Sequence, residues 1–355
     1  MKEVFITGIC GFNNLGDSPE DIFDKLVRNE VKPNPSPIKI PNNLPMKERS
    51  GLDKYSLSLL AACRNILDAV NLEALGEYDI GTLFSTEFGA CHVNMKFLKD
   101  LYTDGVQYVS PKLFAVTVNN ACLGPICIRY KLKGASSMLV NTSPVLYANR
   151  LLKTKKVSAL LVGAVDEYNE DYFQDFTNHD ILKDGYNEGA AAFLLETPES
   201  IEKTGNKPLA KIIGCANVID GTIIYKHGSI PVTSQFMKRG MEMALERAAI
   251  PASDLAGVFM TANSENALYY MEKEAIESID PSVHKIPLNT ISHTNCLVEG
   301  ILDICIAALC LKSGRIPHIA DPSDIKMIET RKKYMMINGV TVDGNFTSVI
   351  IEKAN

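Results

Sequence analysis

Val157-Ser158-Ala159-Leu160-Leu161-Val162-Gly163-Ala164-Val165 carries one polar side chain and is followed by Asp166. A strand with one wet face alternates apolar and polar residues, whereas an unbroken apolar run of this length is a strand covered on both faces. Such strands belong to sheets with helices packed on each side, and the flanking sequence supplies them. Upstream, Ile80–Phe84 reads as a strand, Phe88 to Leu98 as a helix, Val116–Lys133 as an apolar helix, Met138–Val140 as a short strand and Pro144–Lys153 as a short helix. Downstream, Glu188–Leu195 and Ala210–Ala216 look like a strand pair. Ser234–Ala249 has helical spacing, Gly257–Met260 is strand-like, and the apolar stretch Glu299–Lys312 reads as a helix stopped by Gly314. Tyr334–Asn338 and Thr347–Glu352 close the chain as strands. At the start, Val4–Gly8 is a short β-rich run, and Ser18-Pro19 opens a helix by capping and first-turn preference. The order is βαβα units and a hairpin, then the same again. It predicts a parallel-sheet α/β protein of two similar βαβαβ halves, divided as 1–170 and 171–355.

Composition narrows the function classes. The 355 residues are 46% hydrophobic and 22% charged, which is ordinary for a globular protein and excludes disordered, collagenous and coiled-coil readings. The net charge of −6 and the lack of a basic stripe speak against nucleic acid as a partner. The longest apolar stretches, Ser158–Val165 and Ile304–Leu311, are too short to span a bilayer. The opening Met1-Lys2-Glu3 leads straight into a strand pattern, unlike a signal peptide. Nine cysteines sit mostly in apolar runs with no CxxC spacing, so reduced thiols in a cytoplasmic protein are expected, with no disulfide framework and no structural zinc. No motif for a metal, nucleotide or flavin cofactor is present.

Several stretches together resemble the β-ketoacyl synthases of the thiolase superfamily, along nearly the whole chain. They are Val4-Phe5-Ile6-Thr7-Gly8-Ile9, Ser110-Pro111-Lys112-Leu113-Phe114 with Val118-Asn119-Asn120-Ala121, and Tyr130-Lys131-Leu132-Lys133-Gly134-Ala135-Ser136-Ser137. Further along come Leu161-Val162-Gly163-Ala164-Val165-Asp166, Lys183-Asp184-Gly185-Tyr186 with Glu188-Gly189-Ala190, and Gly314-Arg315-Ile316-Pro317. The resemblance implies a thiolase-like fold with α-β-α-β-α layers. It also implies a site in which a cysteine at a helix N-terminus takes an acyl chain, backbone N–H groups hold the oxyanion, and two histidines assist.

This sequence departs from that site at the nucleophile and first-histidine positions and leaves the second histidine position open. Counting on from Gly134 puts Ser143 in the nucleophile slot, where Ser143-Pro144 also reads as an ordinary helix start. A serine hydroxyl without an adjacent base is a poor nucleophile. The first histidine slot falls on Ala262 or Asn263, and the second on His293 or Thr294. The gating phenylalanine of the family's C-terminal loop is replaced by Val342 in Thr341-Val342-Asp343-Gly344-Asn345-Phe346. Cys122 and Cys296 lie in apolar surroundings, where free cysteine is usually a small buried hydrophobe.

A ketosynthase fold without its cysteine resembles the chain-length factor, or KSβ subunit, of type II polyketide synthases. By that resemblance the chain is a catalytically silent partner of a cysteine-bearing ketosynthase. The heterodimer would shape the tunnel for a polyketide or polyene chain on an acyl carrier protein. The strand Val157–Val165 would pair across the dimer, with the helix at 117–127 nearby. Phe88, Cys91 and Met95, spaced i, i+3 and i+7, would line the tunnel, with Cys122 and Val342 as further tunnel or interface residues; a plain core stripe has the same spacing. Two other readings stay open. One is an active β-ketoacyl synthase with an atypical site using Ser143 or Cys122 with His293. The other is a stand-alone acyl-binding or scaffolding homodimer.

Overall fold

The computed structural model describes residues 3–33, 38–71, 74–76, 79–154, 156–178, 188–219, 232–261, 267–292 and 297–354. Twelve strands are present among them: β1 (Phe5–Phe12), β2 (Ile80–Thr86), β3 (Ser136–Val140), β4 (Ala159–Asp166), β5 (Gly189–Glu196), β6 (Ala210–Ile219), β7 (Leu255–Phe259), β8 (Lys285–Ile286), β9 (Arg315–Asp321), β10 (Asp324–Glu329), β11 (Tyr334–Val340) and β12 (Asn345–Lys353). Ten of these run in the order β3-β2-β4-β5-β1-β6-β12-β11-β7-β8, and β9 and β10 form a separate hairpin.

The order hides a duplication. In the first five strands β2 pairs in parallel with β3 and β4, β4 is antiparallel to β5, and β5 is antiparallel to β1. In the second set β7 pairs in parallel with β8 and β11, β11 is antiparallel to β12, and β12 is antiparallel to β6. The two five-stranded sheets touch through two residue pairs of β1 and β6, Phe5 with Lys211 and Ile6 with Ala210. By sheet membership β5 goes with the first half. The last strand of that half along the chain ends at Glu196.

Helices fill three layers. Lys54–Ala69, capped by the Asp53 side chain accepting from Ser56 N at 2.9 Å, covers the outer face of the first sheet. Ser234–Ala248 covers the outer face of the second. Between the sheets lie Val145–Lys153, against β4 and β6, and Leu297–Ser313, which touches strands of both. This is the α-β-α-β-α arrangement expected from the sequence. Strand β4 shows why. Ala159, Leu161 and Val165 join the outer apolar cluster, and Leu160, Val162 and Ala164 join the inner one, so neither face could be polar. No helix among the described residues is long and apolar enough to cross a membrane.

Four local expectations are corrected. Strands β5 and β6 do not pair; β1 lies between them, because the chain's first strand completes the first half beside β5 and meets β6 through two residue pairs. Strand β4 is not a free edge for a dimer: β2 and β5 occupy its two sides, and the edge of the first sheet is β3. The apolar stretch 116–133 is not one helix but a 3₁₀ turn, Asn119–Cys122, followed by a helix at Leu123–Tyr130 that ends where Lys131 turns to φ 53°. Phe88 precedes its helix, Cys91–Asp104, so only Cys91 and Met95 share a helical face. At Gly163 a methyl group would stand 2.3 Å from the Ala191 carbonyl oxygen and 2.6 Å from the Phe84 ring. Gly163→Ala is expected to cost about 1–3 kcal/mol by overpacking a strand that cannot shift. A lower urea midpoint at unchanged slope checks this.

Candidate functional site

The C-terminal ends of the parallel strands of both halves meet between the sheets, which is where an open α/β sheet places its crevice. Strand β3 ends in Asn141, held at φ 52°, and the chain then turns through Thr142 and Ser143 into the helix Val145–Lys153. That turn is fastened from three sides. Asn141 N donates to Thr86 O at 3.0 Å, Ser85 Oγ to Thr142 O at 2.7 Å, and Asn345 Nδ2 to Asn141 O at 3.2 Å. Ser143 is half-buried and lines two clefts. The smaller, shared with Leu297, Gly300, Val340, Thr341 and Asn345, has a volume of about 20 Å³. That is room for about one water and not for an acyl group.

Ser143 does not cap its helix. Pro144 stands at the cap position with no side-chain hydrogen bond, so the capping expectation fails. Among the described residues no hydrogen bond to the Ser143 hydroxyl is formed, and no base activates it. Glu87, 5% exposed, accepts from Val342 N at 3.1 Å through Oε1, and Leu297 adds a backbone hydrogen bond. Leu297 lines the small cavity, and Val342 directly follows its lining residue Thr341. Burial holds the Glu87 carboxyl well above the usual carboxylate range, and the neighbouring Asp166 pushes the same way. Oε2 of Glu87 has no hydrogen-bond partner. Asp166 in turn accepts from Thr86 Oγ1 at 2.6 Å, Glu87 N at 3.0 Å and Phe88 N at 3.2 Å, tying the end of β4 to the end of β2. The sequence pattern did not single out Glu87. A charged residue directly after an apolar strand is the signal that could have found it.

The sequence-predicted residues separate in space. Val342 lies in the tight β11–β12 turn, where Gly344 takes φ 83°. Cys91 is buried, with Sγ 3.6 Å from the Phe88 carbonyl, and Phe88 packs edge-on to Phe173 at 4.9 Å and Tyr172 at 6.1 Å. Met95 is half-buried on the same helix. Cys122 belongs to the outer cluster, across the first sheet from the inner one, and burial raises its thiol pKa. It cannot serve the Ser143 centre from there. Ala262, Asn263, His293 and Thr294 lie outside the described residues, as do Cys296 and the stretch Lys183-Asp184-Gly185-Tyr186. The eight described cysteines are free thiols, and no cluster of metal-ligating side chains occurs among the described residues.

A second buried acid is readable by titration. Glu167 accepts from His92 N at 2.7 Å through Oε1, its other oxygen is unpartnered, and burial raises its pKa to about 7. The folded chain holds this proton more tightly than the unfolded chain, where the group titrates near 4.5. The stabilising contribution is thus full below the unfolded value and is lost as pH rises toward about 7. Glu167→Gln keeps the acceptor and removes the titration. Denaturant unfolding at several pH values should show a flatter stability profile for the variant and a relative gain near neutral pH.

No protein-family model and no curated protein sequence matches this chain. Solved structures do match. A β-ketoacyl synthase from Burkholderia phymatum STM815 superposes with TM-score 0.81 at 19% identity, covering 100% of both chains. The ishigamide ketosynthase/chain length factor gives 0.82 at 18%, also over 100% of both. The type II polyketide synthase complex AntDE:AntF, an acyl-carrier protein with its ketosynthase bound to the hexaketide, gives 0.77 at 14%, again over 100% of both. With two five-stranded sheets of the same order, a shared central helical layer and full-length superposition, the chain has the fold of the β-ketoacyl synthases.

Proposed function

We propose that this chain is a chain-length-factor subunit: a ketosynthase-like protein without condensing activity of its own, paired with a cysteine-bearing ketosynthase. Together the two would wall the tunnel for a polyketide or polyene chain delivered by an acyl carrier protein. The observation that carries the reading is the centre at Ser143. Among the described residues a hydroxyl stands there without a base, and the Val342 N–H of the β11–β12 turn is engaged by the Glu87 carboxyl. Among those residues, a serine so placed has no proton acceptor of the kind that acyl transfer by a hydroxyl requires.

The edge of the first sheet supports pairing with a second subunit. Strand β3 has one neighbour, β2, and its Val140 is half-exposed. In the chain segment that joins β2 to β3, Tyr102, Val106, Tyr108, Phe114 and Ile128 are each more than 60% exposed. Exposed large apolar side chains in such number on neighbouring elements mark an interaction surface, and a partner strand would satisfy the open backbone groups of β3. This edge takes the role that the sequence reading gave to Val157–Val165. Structural neighbours that are ketosynthase–chain length factor and ketosynthase–carrier complexes agree with that use of the fold. In this reading Phe88, Cys91 and Met95 are the tunnel-end residues, and Cys122 supports them from the outer layer.

Incubated alone with an acyl-carrier thioester, the pure chain is expected to keep its own intact mass and to release no carbon dioxide from the malonyl form. A stable adduct on Ser143, or decarboxylation by the isolated chain, refutes silence and favours an atypical active enzyme. Co-expression with a cysteine-bearing ketosynthase should give a heterodimer by size and mass; a homodimer indifferent to that partner points instead to a stand-alone scaffold. In the heterodimer Phe88→Ala should lengthen the product distribution without loss of assembly, and an unchanged distribution removes Phe88 from the tunnel.

A further inference from the structure

The second cleft that Ser143 lines is larger and differently made. It has a volume of about 700 Å³ and lies along the outward side of the helix Val145–Lys153, facing strand β6. That size falls within the range of small-molecule sites. Leu139, Leu146 and Ile213 form apolar wall, and Arg150, Lys153 and Arg247 line the cleft as well. No aspartate or glutamate is among its described lining residues. Arg247 Nη1 donates to the Cys215 carbonyl, while Arg150 and Lys153 have no ion pair among the described residues. Asn149, 9% exposed, also lines the cleft, and its Oδ1 has no hydrogen-bond partner. The floor is neutral: burial pushes the Cys215 thiol up to about 12 although Arg247 and Lys153 pull it down. Three cations that share one cleft without a counter-charge among the described residues repel one another, and a buried amide oxygen without a donor carries a desolvation cost.

We infer that this cleft binds an amphiphile with a carboxylate or phosphate head and an apolar chain. The head lies among Arg150, Lys153 and Arg247, where charge-assisted hydrogen bonds are strongest. The chain lies along Leu139, Leu146 and Ile213. The Asn149 oxygen is placed to accept from a donor on the ligand or from a water that comes with it. Binding is non-covalent and does not rest on the chain's being a silent subunit.

Calorimetric titration of the full chain, alone, with decanoate and with decyl phosphate tests this, with acetate and inorganic phosphate as chain-free heads. The expected result is saturable one-to-one binding of at least one amphiphile, with neither small anion matching it. Affinity should fall about tenfold or more in R150A/K153A, as charge-assisted contacts are lost, and should also fall with added salt. Tighter decanoate identifies a carboxylate head and tighter decyl phosphate a phosphate head. Both substituted side chains reach solvent, so the variant folds, which its unfolding midpoint checks. No saturable binding of either amphiphile, or equal affinity in the variant, overturns the inference. Failure of both probes combined with a weakened heterodimer in R150A/K153A assigns the cations to a partner protein and also overturns it. No ketosynthase is present in the titration, so its failure and that of the proposed function are read separately.

Discussion

The two sheets are held together through the helix Leu297–Ser313, whose side chains are buried on nearly every side. A helix apolar all round can only be stable inside a protein, so its sequence commits the chain to a layer on each side of it. Ile301, Leu302, Ile304, Ile306 and Ala308 fill that position, and Gly314 at φ 71° ends it. The polar residues it carries are answered from the first sheet's end or suppressed: Glu299 accepts from Asn13 Nδ2 at 2.8 Å, and burial raises the Asp303 carboxyl, with Glu299 and Glu272 adding to the rise. The direct contact between the sheets, two residue pairs of β1 and β6, is small beside this.

The same helix begins at the crevice. Its first residue, Leu297, Val342 of the β11–β12 turn and Ser143 at the end of β3 come from three distant parts of the chain. They meet because each follows the C-terminal end of a strand or opens a helix in the central layer. Glu87 joins them from the end of β2. A buried carboxyl there stabilises the closed arrangement by taking backbone N–H groups that would otherwise be unsatisfied. The Glu87 carboxyl thus ties the end of β2 to the β11–β12 turn.

Much of the fold was legible. The both-face apolar run at 157–165, the capped helix after Ser18 and the all-apolar helix before Gly314 are patterns that solvent exclusion writes directly into residue order. The βαβα order, read twice, predicted two matching sheets. Pairing was less legible. The strands at 189–196 and 210–219 are neighbours in sequence but are separated by β1, since a strand from the chain's start completes the first half. Strand β4 is internal although its sequence suggested an edge, because an apolar run reports coverage of faces, whereas an edge is defined by hydrogen bonding. Strand β3, with mixed burial, gave no such signal.

By itself the sequence determined the α/β class, the duplicated layering and the lack of a cysteine at the Ser143 position, because burial periodicity and residue identity are local properties. Only the tertiary structure decided what surrounds Ser143: the Glu87 carboxyl on Val342 N, the narrow cavity on one side and the cationic cleft on the other. Those features join residues about 90, 140, 210, 250, 300 and 340 along the chain, and a hydrogen bond or a charge cluster depends on distance in space, which residue order alone does not encode.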